Sequence, residues 1–313
     1  MLSYDKRLMK RIVLQLMNFD DAIKISARAE QDIVSLLTYL RYESAILFHL
    51  GEVDYIFYPK RKEAVLHPRY LYSKKGYDGL VRQLTAVVEK IREQVCIAAS
   101  PYQRELRIHD FLCSNVMYSD EGEQSHSMIG PLLFRRGVCD GFSKAAKVLL
   151  QECGIVSHVI KGTAALSSDQ YEPHAWNVVC IDSKWYHLDA TLDNTLSRTG
   201  IRYDYFNLSA DAIMRDHNIE NTTEFSSIEC TCDNDYYMVS GLYFQSLASI
   251  RKYLNQCLTQ RITHIQLRAG RKINKKDIVH LFSQSLKTIN SCVTYDECIN
   301  EFRNIYSWRI VYA

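Results

Sequence analysis

Proline is scarce in this 313-residue chain, with 5 copies, and no low-complexity tract interrupts it. That pattern argues for ordered structure and against long disordered tethers. A dominant charge of one sign is also missing. The net charge is only +2, so no general attraction to nucleic acid or to an anionic membrane follows. No run is long and apolar enough to span a bilayer. The stretch from Met1 to Asn18 mixes basic and apolar residues, without a clean apolar core or a small-residue cleavage site. It therefore does not read as a signal peptide. A regular disulfide framework and internal repeats are absent too. Together these absences predict a cytoplasmic protein with reduced thiols and no membrane partner.

The ten cysteines stand at positions 96, 113, 139, 153, 180, 230, 232, 257, 292 and 298. Most lie in apolar runs, as Cys180 does between Val179 and Ile181, and are expected to be small buried hydrophobes. Cys230 and Cys232 are one residue apart, but no second short-spaced Cys or His pair accompanies them. A structural zinc site needs four ligands, so no metal and no cofactor is expected. The basic run from Arg268 to Lys276 carries no nucleic-acid motif around it and reads as a solvated face.

Periodicity suggests the organisation. Residues 20–50 read as helix, with Ile23, Ala27, Val34, Leu37 and Leu40 roughly on one stripe. Val53–Tyr58 and Val65–Tyr72 read as strands. Leu80, Leu84, Val87, Val88, Ile91 and Val95 recur at helical spacing. Ser100, Pro101 and Gln103 suit the N-cap, N1 and N3 positions of a next helix, with a capping box. Ser119 to Pro131 is a loop. A helix follows from about Cys139 and stops at Gly154. Val156–Gly162 is a strand, 163–173 a polar loop, and His174–Ile181 with Trp185–Ala190 a hairpin turning at Asp182-Ser183. Beyond lie a helix near 246–259, a strand Ile262–Leu267, a helix capped by Asn274, and a strand Tyr306–Tyr312. The regions are set at 1–99, 100–220 and 221–313, with candidate edges near Asn221-Thr222-Thr223 and near Pro101.

Two places carry chemistry. Cys139 opens a helix, where the positive end of the macrodipole favours thiolate over thiol. The Cys139 backbone N–H there can face a developing oxyanion. Alone, such a cysteine is better explained as a buried structural thiol, because a free cysteine is usually buried and inert. The hairpin changes that reading. With a two-residue turn, Asp189 falls opposite Trp176, and His174 shares the face of Trp176. Asp189 is then a diagonal neighbour of His174, within side-chain reach. A carboxylate there fixes the tautomer of an imidazole base and stabilises its charged form. Trp176, His187 and Asp193 are candidates for a supporting layer: Trp176, like Trp185, as hairpin core, His187 on the Asp189 face, Asp193 as a brace after it. Ser127 is the one upstream guess for a second oxyanion donor.

The segments GVCDGFSKAAKVLLQECGI (from Gly137) and HAWNVVCIDSKWYHLDATLDN (from His174) resemble the core of the transglutaminase-like superfamily, in its bacterial branch. IHDFLCSNVMYSD, HVIKG and YFNLSADAIMRDH resemble that branch as well. The resemblance covers about residues 100–220. It implies a papain-like α+β fold, in which a helix carrying Cys packs on an antiparallel sheet carrying His and Asp. It maps the family's catalytic residues onto Cys139, His174 and Asp189. Asp140 stands where animal transglutaminases have Trp, and their calcium-binding acidic loops have no counterpart here. The implied activity is acyl transfer on peptide amides through a cysteine thioester, as peptidase, transglutaminase or deamidase, with a peptide or protein as substrate. The alternative is a binding or scaffold module that keeps the fold without turnover.

Overall fold

The structure is a computed structural model describing residues 6–98, 100–167, 170–220, 224–289 and 293–313. The expected edge at Asn221 to Thr223 and the thiol of Cys292 lie outside the described residues.

The chain begins with α1 (Lys6–Met17), β1 (Ile23–Ser26), α2 (Glu30–Glu43), β2 (Leu50–Tyr58), β3 (Glu63–Tyr70) and α3 (Lys74–Val95). The three strands form an antiparallel sheet in the order β1-β3-β2. The continuous helix expected over 20–50 is instead a strand, a break and a helix. Alternating burial of Ile23 and Ile25 is a period of two, which a window tuned to 3.6 absorbs. In α3, Leu84, Val88, Ile91 and Val95 are buried as their spacing demands, and Ser73 caps the first turn from the Gly76 N–H at 3.2 Å.

The middle of the chain holds α4 (Pro101–Asn115), β4 (Met117–Tyr118), a π-helical turn (Gly130–Phe134), β5 (Arg136–Gly137), α5 (Cys139–Glu152), β6 (Ser157–Ser167), β7 (Gln170–Ile181), β8 (Lys184–Leu188), α6 (Ala190–Leu196), α7 (Ala210–Ile213) and β9 (His217–Ile219). Ser100 Oγ accepts the Gln103 N–H at 3.2 Å, the first half of the expected capping box. Four strands make an antiparallel sheet ordered β8-β7-β6-β9. One face of that sheet packs on α3, α4 and α5 through a shared core that includes Val88, Ile108, Phe142, Leu149 and Val179. The polar loop expected at 163–173 is corrected: most of it belongs to the long β6–β7 hairpin, where Thr163 pairs with Pro173 and Ala165 with Tyr171. Its polar side chains mark an exposed ribbon rather than a loop.

The C-terminal part comprises α8 (Tyr236–Val239), β10 (Tyr243–Phe244), α9 (Leu247–Thr259), β11 (His264–Ala269), α10 (Lys275–Leu286), β12 (Val293–Asn300) and β13 (Ile305–Tyr312). A sheet ordered β10-β11-β13-β12 packs α9 and α10 around Phe282 and Trp308, with its own core. Asn274 is the N-cap of α10 but makes no side-chain cap bond. β12 has no counterpart in the sequence expectations. Its exposed, charged register (Tyr295, Asp296, Glu297) hides an apolar face. This unit meets the middle through Arg202, which is buried, forks onto Asp204 at 2.9 and 2.6 Å, and reaches the Cys298 carbonyl at 2.7 Å.

The nine described cysteines are free thiols. Cys113, Cys153, Cys230 and Cys257 are buried, whereas Cys96 is exposed and the other four are half-buried. The expectation that most are core thiols is therefore too strong, because apolar neighbours on a strand can face the opposite side.

Candidate active site

The site is assembled by one helix start and one hairpin. Val138 caps α5 in an extended conformation and supplies no side-chain acceptor, so the first-turn N–H groups stay free of a side-chain cap. Ser143 Oγ lies 2.7 Å from the Cys139 carbonyl and 2.9 Å from that of Ala175. Asn177 Nδ2 donates to the Ser143 carbonyl at 3.0 Å. These bonds weld the first turn of α5 to β7, directly beside His174. Gly141 lets the preceding loop close over the turn, because a Cβ there would lie 2.3 Å from the Ser125 carbonyl oxygen. Cys139 is half-buried against Tyr42, Val159 and Ala175.

Asp182 and Ser183 both take positive φ, 48° and 64°, as a two-residue hairpin turn requires. Ile181 pairs with Lys184 and Asn177 with Leu188. Extending that register by one pair sets Asp189 across from Trp176, as expected from the spacing. His174 lies within β7 rather than at its start. Asp189 lies just past β8, where it caps α6.

The bonding is explicit. His174 Nε2 donates to Asp189 Oδ2 at 2.6 Å. The other ring nitrogen is left for Cys139, whose side chain acts on His174 in the direction that holds the imidazole proton. Asp189 Oδ1 accepts the N–H groups of Thr191 and Leu192 at 3.0 and 3.1 Å. The cap therefore fixes the carboxylate that fixes the imidazole. Burial by itself would lower His174. The Asp189 charge and hydrogen bond outweigh it, Cys139 adds to them, and His174 is pushed up to about 10. Burial pulls Asp189 the other way, but His174 and His217 hold its carboxyl well below the usual carboxylate range.

His217 is the residue that pattern reading missed. Its Nε2 lies 3.2 Å from Asp189 Oδ2 and its Nδ1 lies 2.8 Å from Asp216 Oδ1. Asp216 Oδ1 in turn accepts from Arg303 Nη2 at 2.8 Å, and Oδ2 accepts from the Tyr205 hydroxyl at 2.8 Å. His217 stands in the segment YFNLSADAIMRDH, but no periodicity places it on an edge strand beside β6. Gly162 makes room for that strand: a Cβ there would lie 1.9 Å from the Asn218 carbonyl oxygen.

The expected supporting residues separate. Trp176 is fully buried, stacks on His174 at 6.1 Å between centroids, and meets His217 edge-on at 5.0 Å. Its Nε1 donates to His187 Nδ1 at 3.1 Å. His187 therefore reaches the site through Trp176. Burial, then His217 and Arg303, lowers His187 to about 3, which suits its role as acceptor. Asp193 braces the loop after α6. It accepts the Asp204 and Tyr205 N–H groups at 2.7 and 3.2 Å and meets His109 Nε2 at 3.0 Å. Burial raises it to about 7 against the pull of His109. Trp185 packs with Trp176 in the small core on the far face of the sheet. Ser127 Oγ is 3.5 Å from the Ile129 N–H of its own loop.

Donor atoms of His174, Asp189 and His217 lie within 4.8 Å of one another. Two imidazoles and a carboxylate are donors that zinc accepts. An ion there would compete with the proton of the His174–Asp189 bond.

The family model described as the transglutaminase-like superfamily matches residues 89–190, which include Cys139, His174 and Asp189. No curated protein matches the chain. Among solved structures it is similar to one named a "TGase", at 16% identity over 54% of this chain and 50% of that one, with a TM-score of 0.31. Another is a "Putative Cysteine Protease" from Cytophaga hutchinsonii, at 16% identity over 46% of this chain and 66% of that one, with a TM-score of 0.30. The chain thus spans half of the first structure and less than two thirds of the second. At that similarity neither fixes an activity. No helix among the described residues is long and apolar enough to cross a membrane. The matched segment, about a third of the chain, is a transglutaminase-like core of α+β architecture.

Proposed function

We propose that this protein is a cysteine-nucleophile enzyme of the cysteine-protease type that transfers acyl groups from peptide amides. Cys139 attacks the carbonyl, His174 holds and returns the proton, and Asp189 orients and charges the imidazole. The tetrahedral oxyanion is held by the Cys139 backbone N–H at the start of α5. The observation that carries this reading is the 2.6 Å His174–Asp189 bond, with Asp189 locked by its helix cap and the first turn of α5 that carries Cys139 bonded to β7 beside it. The chemistry balances simply. The thiolate forms a thioester, and the imidazolium proton goes to the leaving amine. Water then gives cleavage or deamidation, or a second amine gives a crosslink.

Two measurements test it. Iodoacetamide should alkylate Cys139 faster than the other nine thiols, and His174→Ala should erase that preference. Equal labelling of all accessible cysteines would reject the proposal. Mass spectrometry of a glutamine-containing peptide library, with and without a primary amine, then separates cleavage, deamidation and amine incorporation by mass.

A further inference from the structure

An open cavity of about 1080 Å³ lies between the turn after α7 and the ends of β11 and β13, away from Cys139. Its wall includes Arg215, Arg268, Arg271, Lys272, Lys275 and Arg303, against Asp233 and Glu301. Three of the cations are already paired. Arg268 meets Asp235 at 2.6 Å, Lys275 meets Glu301 at 2.5 Å and Arg303 meets Asp216 at 2.8 Å. Arg215, Arg271 and Lys272 have no ion-pair partner among the described residues. The basic run expected to be a solvated face therefore forms one wall of a concave site.

The wall is rigid. Asn304 Nδ2 donates to the carbonyls of Gly270 and Ile273 at 3.0 and 3.1 Å, and the Tyr306 hydroxyl donates to Asn304 Oδ1 at 2.6 Å. That clamp fixes the turn from which Arg271 and Lys272 project. Arg303 is 3% exposed, and its Nε has no hydrogen-bond partner among the described residues. Its guanidinium is held from below by the Ala212 carbonyl at 2.9 Å and by Asp216 at 2.8 Å, so it contributes fixed positive charge under the cavity rather than a free donor. Burial, followed by repulsion from Arg271, Arg303 and Arg268, depresses Arg215 against the weaker pull of Asp233. Like charges held together on a fixed frame store repulsion that a bound anion would relieve.

We infer that this cavity binds a small organic phosphate carrying at least two phosphate groups, held by Arg215, Arg271 and Lys272 with Arg303 at its floor. Guanidinium forks match phosphate oxygens two at a time. The volume lies just above the range of ordinary small-molecule sites, about 300–1,000 Å³, and so has room for a nucleotide-sized ligand. The site is separate from Cys139, so the inference does not depend on the proposed activity.

Calorimetric titration of the full chain with inorganic tripolyphosphate and with ATP tests it. Saturable binding is expected, weakened at least tenfold in the exposed double variant R271Q/K272Q and, independently, in Arg215→Gln. The double variant should keep its ligand-free Tm. Absence of binding heat for both probes, or unchanged affinity in both variants, would overturn the inference. So would tighter binding of a duplex oligonucleotide than of tripolyphosphate, because that would make the surface a nucleic-acid contact.

Discussion

Asp189 Oδ2 accepts the His174 Nε2 proton at 2.6 Å while Asp189 Oδ1 caps α6 through two backbone N–H groups. One carboxylate thus joins the orientation of the imidazole to the start of a helix. The consequence is that neither oxygen can rotate away without loss of a bond on the other side.

Asp189→Asn should leave the fold in place, because Asn also caps helices, but should lower the turnover rate by about 10³-fold or more, since an amide favours the wrong imidazole tautomer. Stability should change with pH in a defined direction. The folded His174 value of about 10 lies above the unfolded value of about 6.5. The pair therefore stabilises the fold fully below about pH 6.5 and loses that contribution as pH rises through about 10. Denaturant titrations from pH 6 to pH 10.5 should show this slope in the native protein and a flatter one in Asp189→Asn.

His217→Gln should act on the rate through Asp189 rather than on substrate affinity. Loss of one hydrogen bond to a charged group is worth about 1.5–3 kcal/mol, which is about 10- to 100-fold in rate. The expected result is a fall in kcat with KM unchanged, and an alkaline limit of the pH profile that moves up, because a carboxylate relieved of one donor holds the His174 proton more tightly. A fall in Tm with an unmoved pH profile would assign His217 a structural role only.

Gly162→Ala should displace β9, since the new methyl would overlap the Asn218 carbonyl and approach Trp176. Overpacking of this kind costs about 1–3 kcal/mol. Thermal denaturation should show the loss. The His217 contact should weaken with it, so activity and stability should drop together.

Glu105 is fully buried, and burial raises its carboxyl to about 8 although Asn207 Nδ2 donates to it at 2.7 Å. The unfolded value is about 4.3. The folded state therefore holds this proton more tightly, and the stability tied to it is complete below about pH 4.3 and lost as pH rises through 8. Glu105→Gln keeps an acceptor for Asn207 without a charge. It should raise Tm at pH 8.5 and have little effect at pH 5, and the same Tm difference at both values would count against this account.

Much of the site was legible in the residues themselves. The two-residue turn at Asp182-Ser183 sets the pairing of β7 with β8, because side chains alternate and a turn of that length allows one register. That alone brings His174 and Asp189 onto neighbouring strands. The helix from Cys139 to Gly154 follows from its apolar stripe and its glycine stop. What local pattern could not supply is proximity between distant segments. Nothing in the spacing joins Cys139 to His174; Ser143 and Asn177 do so by bonding across α5 and β7. His217 reaches Asp189 only because Gly162 admits β9 to the sheet edge, and Arg303 reaches Asp216 from a different part of the chain. The basic run at 268–276 is polar in any fold, and only its clamp by Asn304 makes it one wall of a cavity. Periodicity records which face of an element is buried. Which faces meet is decided by tertiary packing, where one carbonyl or one missing Cβ sets the distance.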